Sequence, residues 1–220
     1  METIKKFLRP VYVPIANWYY KNYSGPQRYR NLYTTISAIH AKRIMEVGTW
    51  AGGRAILMIK EAQKYNPLSE IEYYGFDLFE GMNEEVYKTE ISKKPPTQSD
   101  VESVLQATGA KISLFKGDTM VTMPEVCPTL PKMDFIYIDG GHSYETIAND
   151  WNCSKMLMHE GTVVIFDDYW LNREDGGCKK IIDALDRKVY NVVLSKELDV
   201  FNNNDFGKLE IRYAIVSFKR

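Results

Sequence analysis

With 220 residues, 45% of them apolar and 26% charged, and a formal net charge of −1, the chain has an ordinary globular composition and the length for one domain with a sizeable core. Its cysteines, Cys127, Cys153 and Cys178, are odd in number, widely spaced and without a C-x-x-C pair. This excludes a disulfide framework and a cysteine zinc site, and a reducing cytoplasm is the expected compartment. No signal-peptide pattern is present, and the apolar patch at residues 11–20, broken by Pro14 and Asn17, is too short to span a bilayer.

Charge is unevenly spread. Residues 1–43 carry Lys5, Lys6, Arg9, Lys21, Arg28, Arg30, Lys42 and Arg43 against a single acid, Glu2, so the remainder is acidic. Residues 1–40 therefore read as a basic, aromatic arm of helical pieces, interrupted by Pro10, Pro14 and a Ser24-Gly25-Pro26 turn. Such an arm suits a lid, an oligomer contact or peripheral contact with an anionic membrane surface. A homo-oligomer is expected, and no nucleic-acid partner.

Helical spacing of Leu32, Ile36 and Ile39 marks residues 29–40 as the entry to the first strand, Arg43–Val47. A Gly-rich turn and a helix over 54–65 follow, then a strand, Glu72–Asp77. The polar stretch 78–99 is long for a connection in a compact domain, and is expected to serve as a flap over the site. A helix over 100–108 precedes a strand, Lys111–Lys116, closed by Gly117-Asp118. A proline-flanked connection, 124–131, leads to a strand over 134–138, a helix over 144–158 and a strand over 162–166. Residues 176–188 read as helix. Strands over 190–195 and 211–218 are joined by an Asn-rich loop, 201–207. This alternation predicts an α/β fold: a mostly parallel seven-stranded sheet, helices on both faces and an antiparallel last strand.

In such a sheet ligands sit beyond the carboxyl ends of the strands. The first strand ends in E-V-G-T-W-A-G, where Gly48 and Gly52 permit a tight turn and close backbone approach. Trp50 occupies the second glycine position of the dinucleotide fingerprint, so a pyrophosphate is disfavoured and a phosphate-free nucleoside cofactor is expected. Glu46 suits a cationic amino-acid moiety. Thr49 lies in the same turn, Asp77 is placed for ribose hydroxyls and Asp118 for an adenine amino group. Farther on, D-F-I-Y-I-D-G-G-H-S-Y-E and G-T-V-V-I-F-D-D end two apolar runs in Asp139 and in Asp167-Asp168, with His142 one short turn away. Like carboxylates repel without a cation between them, and hard oxygen donors suit an ion of the Mg²⁺ kind.

The cofactor turn and Y-G-F-D resemble class I S-adenosylmethionine-dependent methyltransferases over residues 43–220. I-D-G-G-H-S-Y-E with F-D-D-Y is similar to the metal-dependent O-methyltransferases, of the macrocin/mycinamicin sugar type and, more distantly, the catechol type. The resemblance implies metal ligands at Asp139, Asp167 and Asp168, with Asp139 also beside the cofactor. It places the catalytic base at His142, where the catechol enzymes carry lysine, and this favours a sugar acceptor. The expected reaction is Mg²⁺-dependent methyl transfer from S-adenosylmethionine to a hydroxyl of a small-molecule or glycan acceptor. A catechol-like or other vicinal diol is the alternative acceptor. An NAD-dependent oxidoreductase fits the alternation but not Trp50, Glu46 or the acidic triad. A non-catalytic cofactor-binding module would have no use for metal ligands and a base.

Overall fold

The structure is a computed structural model and describes residues 25–81, 96–203 and 207–219. A 3₁₀ turn, Gln27–Tyr29, opens into α1, Arg30–Ile39, followed by β1, Arg43–Val47, and α2, Gly53–Ala62. Next come β2, Glu72–Asp77, α3, Gln98–Gln106, β3, Lys111–Lys116, and α4, Thr119–Val126. β4 is Met133–Ile138, α5 Tyr144–Met156, β5 Met158–Trp170 and α6 Lys179–Asp183. The chain closes with β6, Tyr190–Leu194, β7, Asp199–Asn203, and β8, Gly207–Phe218.

The strands form one sheet in the order β3-β2-β1-β4-β5-β8-β6, with β7 paired to β8 off that path. β1 to β5 run parallel, and β8 is antiparallel to β5, β6 and β7. Successive side chains of a strand point to opposite faces, so β1 feeds two cores. Ile44 joins Leu32, Ile36, Ala55, Met58 and Leu105 beneath α1, α2 and α3. Met45 and Val47 join Met123, Ile147, Trp151 and Ile182 beneath α4, α5 and α6. The result is a Rossmann-like, three-layer α/β/α arrangement, and α1 belongs to its core.

Several boundaries differ from the sequence reading. α3 starts at Gln98 because the Thr97 side chain accepts from Asp100 N and caps it. Asp118 caps α4 in the same way through Met120 N, so helix occupies much of the expected proline-flanked connection and holds Pro124 inside it. The expected helix over 176–188 shrinks to Lys179–Asp183. Part of the expected 201–207 loop is strand, since β7 pairs with β8 from Asp199↔Ile211 to Asn203↔Gly207. That adds an eighth strand. The flap expected within 78–99 falls largely on residues 82–95, and most of the basic arm on residues 1–24; both lie outside the described residues. No described helix is long and apolar enough to cross a membrane.

β5 carries an irregularity at Asp167 and Asp168. Phe166 pairs with Ala214 and Tyr169 with Arg212, so Asp167 and Asp168 together oppose Tyr213 alone. This is a β-bulge, with Asp168 at φ 57°. An unbulged strand would send two consecutive side chains to opposite faces. The bulge re-aims one, and both carboxylates serve the same cleft.

Candidate active site

Oxygens of Asp139, Asp167 and Asp168 all lie within 4.8 Å of one another. Asp139 follows β4, and the other two occupy the β5 bulge. They border a small cleft with Gly140, Gly141 and Ile147. His142 Nε2 lies 2.9 Å from Asp168 Oδ2. The Trp170 indole Nε1 donates to the other oxygen at 3.1 Å, and its ring stacks on the imidazole with centroids 5.9 Å apart. The metal triad and base read from the sequence are therefore brought together.

Two of the three carboxylates also have a guanidinium partner. Arg54 Nη2 reaches Asp139 Oδ2 at 2.9 Å. Arg28 grips Asp167 with Nε on Oδ1 at 2.9 Å and Nη2 on Oδ2 at 3.2 Å, the forked geometry that guanidinium and carboxylate share. Its Nη1 reaches Asp199 Oδ2 on β7 at 3.0 Å. Tyr137 OH sits 2.9 Å from Asp139 Oδ2, from Asp167 Oδ2 and from Tyr213 OH. One phenol proton cannot serve both carboxylates. Burial, and then the charge of Asp167, push the Asp139 carboxyl well above the ordinary range despite Arg54. Burial also pushes Asp168 upward, but the charge and hydrogen bond of His142, with Arg28 and Trp170, outweigh it and hold the carboxyl at about 2.

The donor set fits a hard divalent ion: three carboxylates within a span that such ions bridge with bonds of about 2.1–2.6 Å. Oδ1 of Asp139 has no hydrogen-bond donor among the described residues.

On the cofactor side, Glu46 is buried, receives the Tyr73 hydroxyl and leaves Oε1 buried without a partner. Burial pushes its carboxyl up to about 7, against the Tyr73 hydrogen bond and the charge of Arg54. A buried, unpartnered acceptor at the end of β1 suits an incoming cationic amino group. Thr49 Oγ1 lies 3.2 Å from Tyr73 OH, so its hydroxyl belongs to this network. Asp77 accepts from Trp50 N at 2.7 Å and from Phe79 N at 2.9 Å, tying the Gly-rich turn to the end of β2. Burial raises its carboxyl against these backbone donors. Asp118 is exposed, with its side chain on Met120 N. Gly48, at φ 91°, is required by packing: a Cβ there would lie 1.9 Å from the carbonyl oxygen of Asp139. Gly52 takes φ 72° at the start of α2.

A family model described as "Methyltransferase domain" matches residues 45–169, more than half of the chain. The chain belongs to this methyltransferase family. The matched span holds Glu46 through Asp168, while Arg28 and Asp199 lie outside it. Among solved structures, the O-methyltransferase of Bacillus cereus in complex with SAH is 14% identical, with a TM-score of 0.59 over 98% of this chain and 97% of that one. The O-methyltransferase TomG of Streptomyces achromogenes, involved in tomaymycin synthesis and in complex with SAM, is 14% identical, with a TM-score of 0.57 over 86% of this chain and 79% of that one. An rRNA methylase of Streptococcus thermophilus, 10% identical, reaches 0.55 over 86% of this chain and 94% of that one. At such identities the likeness establishes the class I methyltransferase fold and no acceptor. An uncharacterized protein of Acanthamoeba polyphaga mimivirus is 27% identical over 84 residues, which are 36% of this chain and 38% of that protein.

Arg28, Arg54, Tyr137, Asp199 and Tyr213 complete the site and escaped the sequence reading. Arg54 opens the helix after the Gly-rich turn, a position from which its side chain can reach the crevice. Nothing local marks the others.

Proposed function

We propose that the chain is an S-adenosylmethionine-dependent O-methyltransferase that uses a Mg²⁺-type ion and acts on a sugar hydroxyl, free or within a glycan or glycosylated natural product. The observation that carries this reading is the convergence of Asp139, Asp167 and Asp168 on one cleft, with His142 against Asp168. Like charges so placed call for a cation.

The acids at the ends of β1, β2 and β3 would hold the methyl donor: Glu46 its ammonium group, Asp77 its ribose, Asp118 its adenine edge. Gly48, Thr49 and Gly52 shape the turn beneath it. When bound, the donor supplies a methyl group on a sulfonium, and an ion held by the three aspartates lowers the pKa of a coordinated hydroxyl. Alignment of acceptor and donor is then most of the catalytic task. Nε2 of His142 faces the Asp168 carboxylate, and the imidazole is the group that would take the acceptor's proton. Asp168 and Trp170 hold the ring in that orientation. Asp168 stabilises the imidazolium that forms, as a carboxylate does behind a general base.

Calorimetric titration of S-adenosylmethionine and then Mg²⁺, on wild type and Asp168→Ala, tests the reading. Donor binding to both proteins and ion binding to wild type alone are expected, with chelator-sensitive methyl transfer to members of a sugar and diol panel. Donor binding without any ion binding to wild type would remove the metal. Binding of NADH in place of the methyl donor would overturn the reading altogether.

A further inference from the structure

Asp167 has two oxygens and room for about four in-plane hydrogen bonds or metal contacts. Four donor atoms from three residues already stand against them. Oδ1 faces Arg28 Nε at 2.9 Å and Asp168 N at 2.7 Å, and Oδ2 faces Arg28 Nη2 at 3.2 Å and Tyr137 OH at 2.9 Å. Asp168 N is fixed by the bulge, and Tyr137 by its own full burial in β4. Tyr137 can turn its one proton to Asp139 or Tyr213, whereas the Arg28 fork holds both oxygens, and it can leave without breaking the sheet. A guanidinium and a divalent ion on the same carboxylate would also repel at short range.

Arg28 is held from behind as well. Asp199 accepts from Gln27 N at 3.0 Å, from Arg28 N at 3.2 Å and from Arg28 Nη1 at 3.0 Å. The guanidinium packs over Tyr29, Phe201 and Tyr213, between 5.0 and 5.5 Å from the ring centroids. The side chain, the turn that carries it and β7 thus form one unit.

We infer that Arg28 is a built-in competitor for the divalent ion at Asp167. Ion entry requires the guanidinium to give up at least one oxygen, and that withdrawal loosens the Gln27–Tyr29 turn from Asp199. Ion occupancy and the seating of this turn are therefore linked. Each weakens the other by the same factor, as linkage demands. The inference rests on the ion-binding reading above and adds to it a residue that sets ion affinity from outside the ligand set.

The test is Mn²⁺ binding, followed by the electron-spin signal of free ion, to wild type, Arg28→Met and Arg28→Lys. Amide exchange at Gln27–Tyr29 of wild type is measured with and without saturating Mn²⁺. Arg28→Met should bind Mn²⁺ at least about tenfold more tightly, a step of about 1.4 kcal/mol. Arg28→Lys, which keeps the charge but not the fork, should fall between the two. Mn²⁺ should accelerate exchange at the turn in wild type, a readout that needs no variant to fold. Unchanged or weaker Mn²⁺ binding by both variants, with the wild-type turn unmoved, would overturn the competition and leave the ion site standing. Absence of Mn²⁺ binding by wild type and variants alike, with donor binding intact, would overturn the ion site and the competition with it.

Discussion

Two histidine–aspartate pairs stand at opposite ends of the same two strands. His142 and Asp168, 2.9 Å apart, lie where β4 and β5 reach the cleft; His159 and Asp134, 3.0 Å apart, lie where these strands begin. By distance and residue type they are equivalent. Their surroundings are not. Asp134 gives its other oxygen to the backbone N–H groups of Lys42 and Arg43, at 2.8 and 2.9 Å, and His159 Nδ1 accepts from Gly161 N at 3.0 Å. That pair stitches the starts of β1, β4 and β5 together, with its polar atoms answered by the chain itself. Asp168 takes no backbone donor on its carboxylate among the described residues and shares its cleft with two further carboxylates. A histidine–aspartate pair is thus no mark of a site. Unfavourable crowding of like charge is.

The largest effect should come from breaking the cleft pair. His142→Ala is expected to lower kcat by about 10²–10⁴-fold, the usual contribution of a positioned base, while leaving donor affinity unchanged. His159→Ala should leave kcat where it was. Parallel methyl-transfer assays and donor titrations on the two variants decide the matter. Comparable losses of turnover would mean that the pairs differ less than their surroundings imply.

Glu46 sharpens the contrast in stability. Its folded pKa of about 7, against an ordinary 4.5, means that the native state binds more protons than the unfolded chain between these values. The contribution of Glu46 to stability is therefore fully present below pH 4.5 and is lost as pH rises through 7. Two and a half pKa units correspond to a loss on the order of 3 kcal/mol. Glu46→Gln should make the ligand-free protein more stable at pH 8, with the gain vanishing near pH 4. Urea melts at both pH values would show it. Proton release on donor binding near pH 6.5, expected if an ammonium group meets this carboxylate, should disappear in the same variant.

Legibility in the sequence followed physical range. Asp139, Asp167, Asp168 and His142 were visible because strand periodicity ends there and carboxylates at strand ends converge on one crevice. The parallel order and the antiparallel closure followed from alternation. Arg28 was invisible as a site residue because its partner lies 139 positions away, and one arginine in a basic arm reads as solvated charge. Tyr137 was hidden by its setting: D-F-I-Y-I-D reads as a buried strand, and nothing local tells a core tyrosine from one whose hydroxyl joins two carboxylates. The β5 bulge was equally silent, since it is fixed by pairing with β8 and not by a glycine in its own sequence. Asp77 and Asp118 show the opposite case. Their positions were legible, and so was a capping role for each, as Phe79 N and Met120 N two residues on now show; only the Trp50 N donor on Asp77 needs the fold.

The smallest effect belongs to the far pair. Burial raises the Asp134 carboxyl, but the N–H groups of Arg43 and Lys42, with His159, outweigh it and leave a net lowering. A lowered folded pKa stabilises above the ordinary carboxylate range, and the benefit is lost as pH falls through the folded value. Asp134→Ala should therefore destabilise by about 1–2 kcal/mol at pH 7, the scale of hydrogen bonds returned to water, and by less at pH 3. Denaturant melts at the two pH values measure this. Donor affinity and turnover should stay at wild-type levels, because the lost bonds join strand starts a full strand length away from the cleft. A fall in turnover with the melts unchanged would show that the pair at the strand starts acts on the chemistry. The distinction between a pair that holds the sheet and a pair that serves the cleft would then fail.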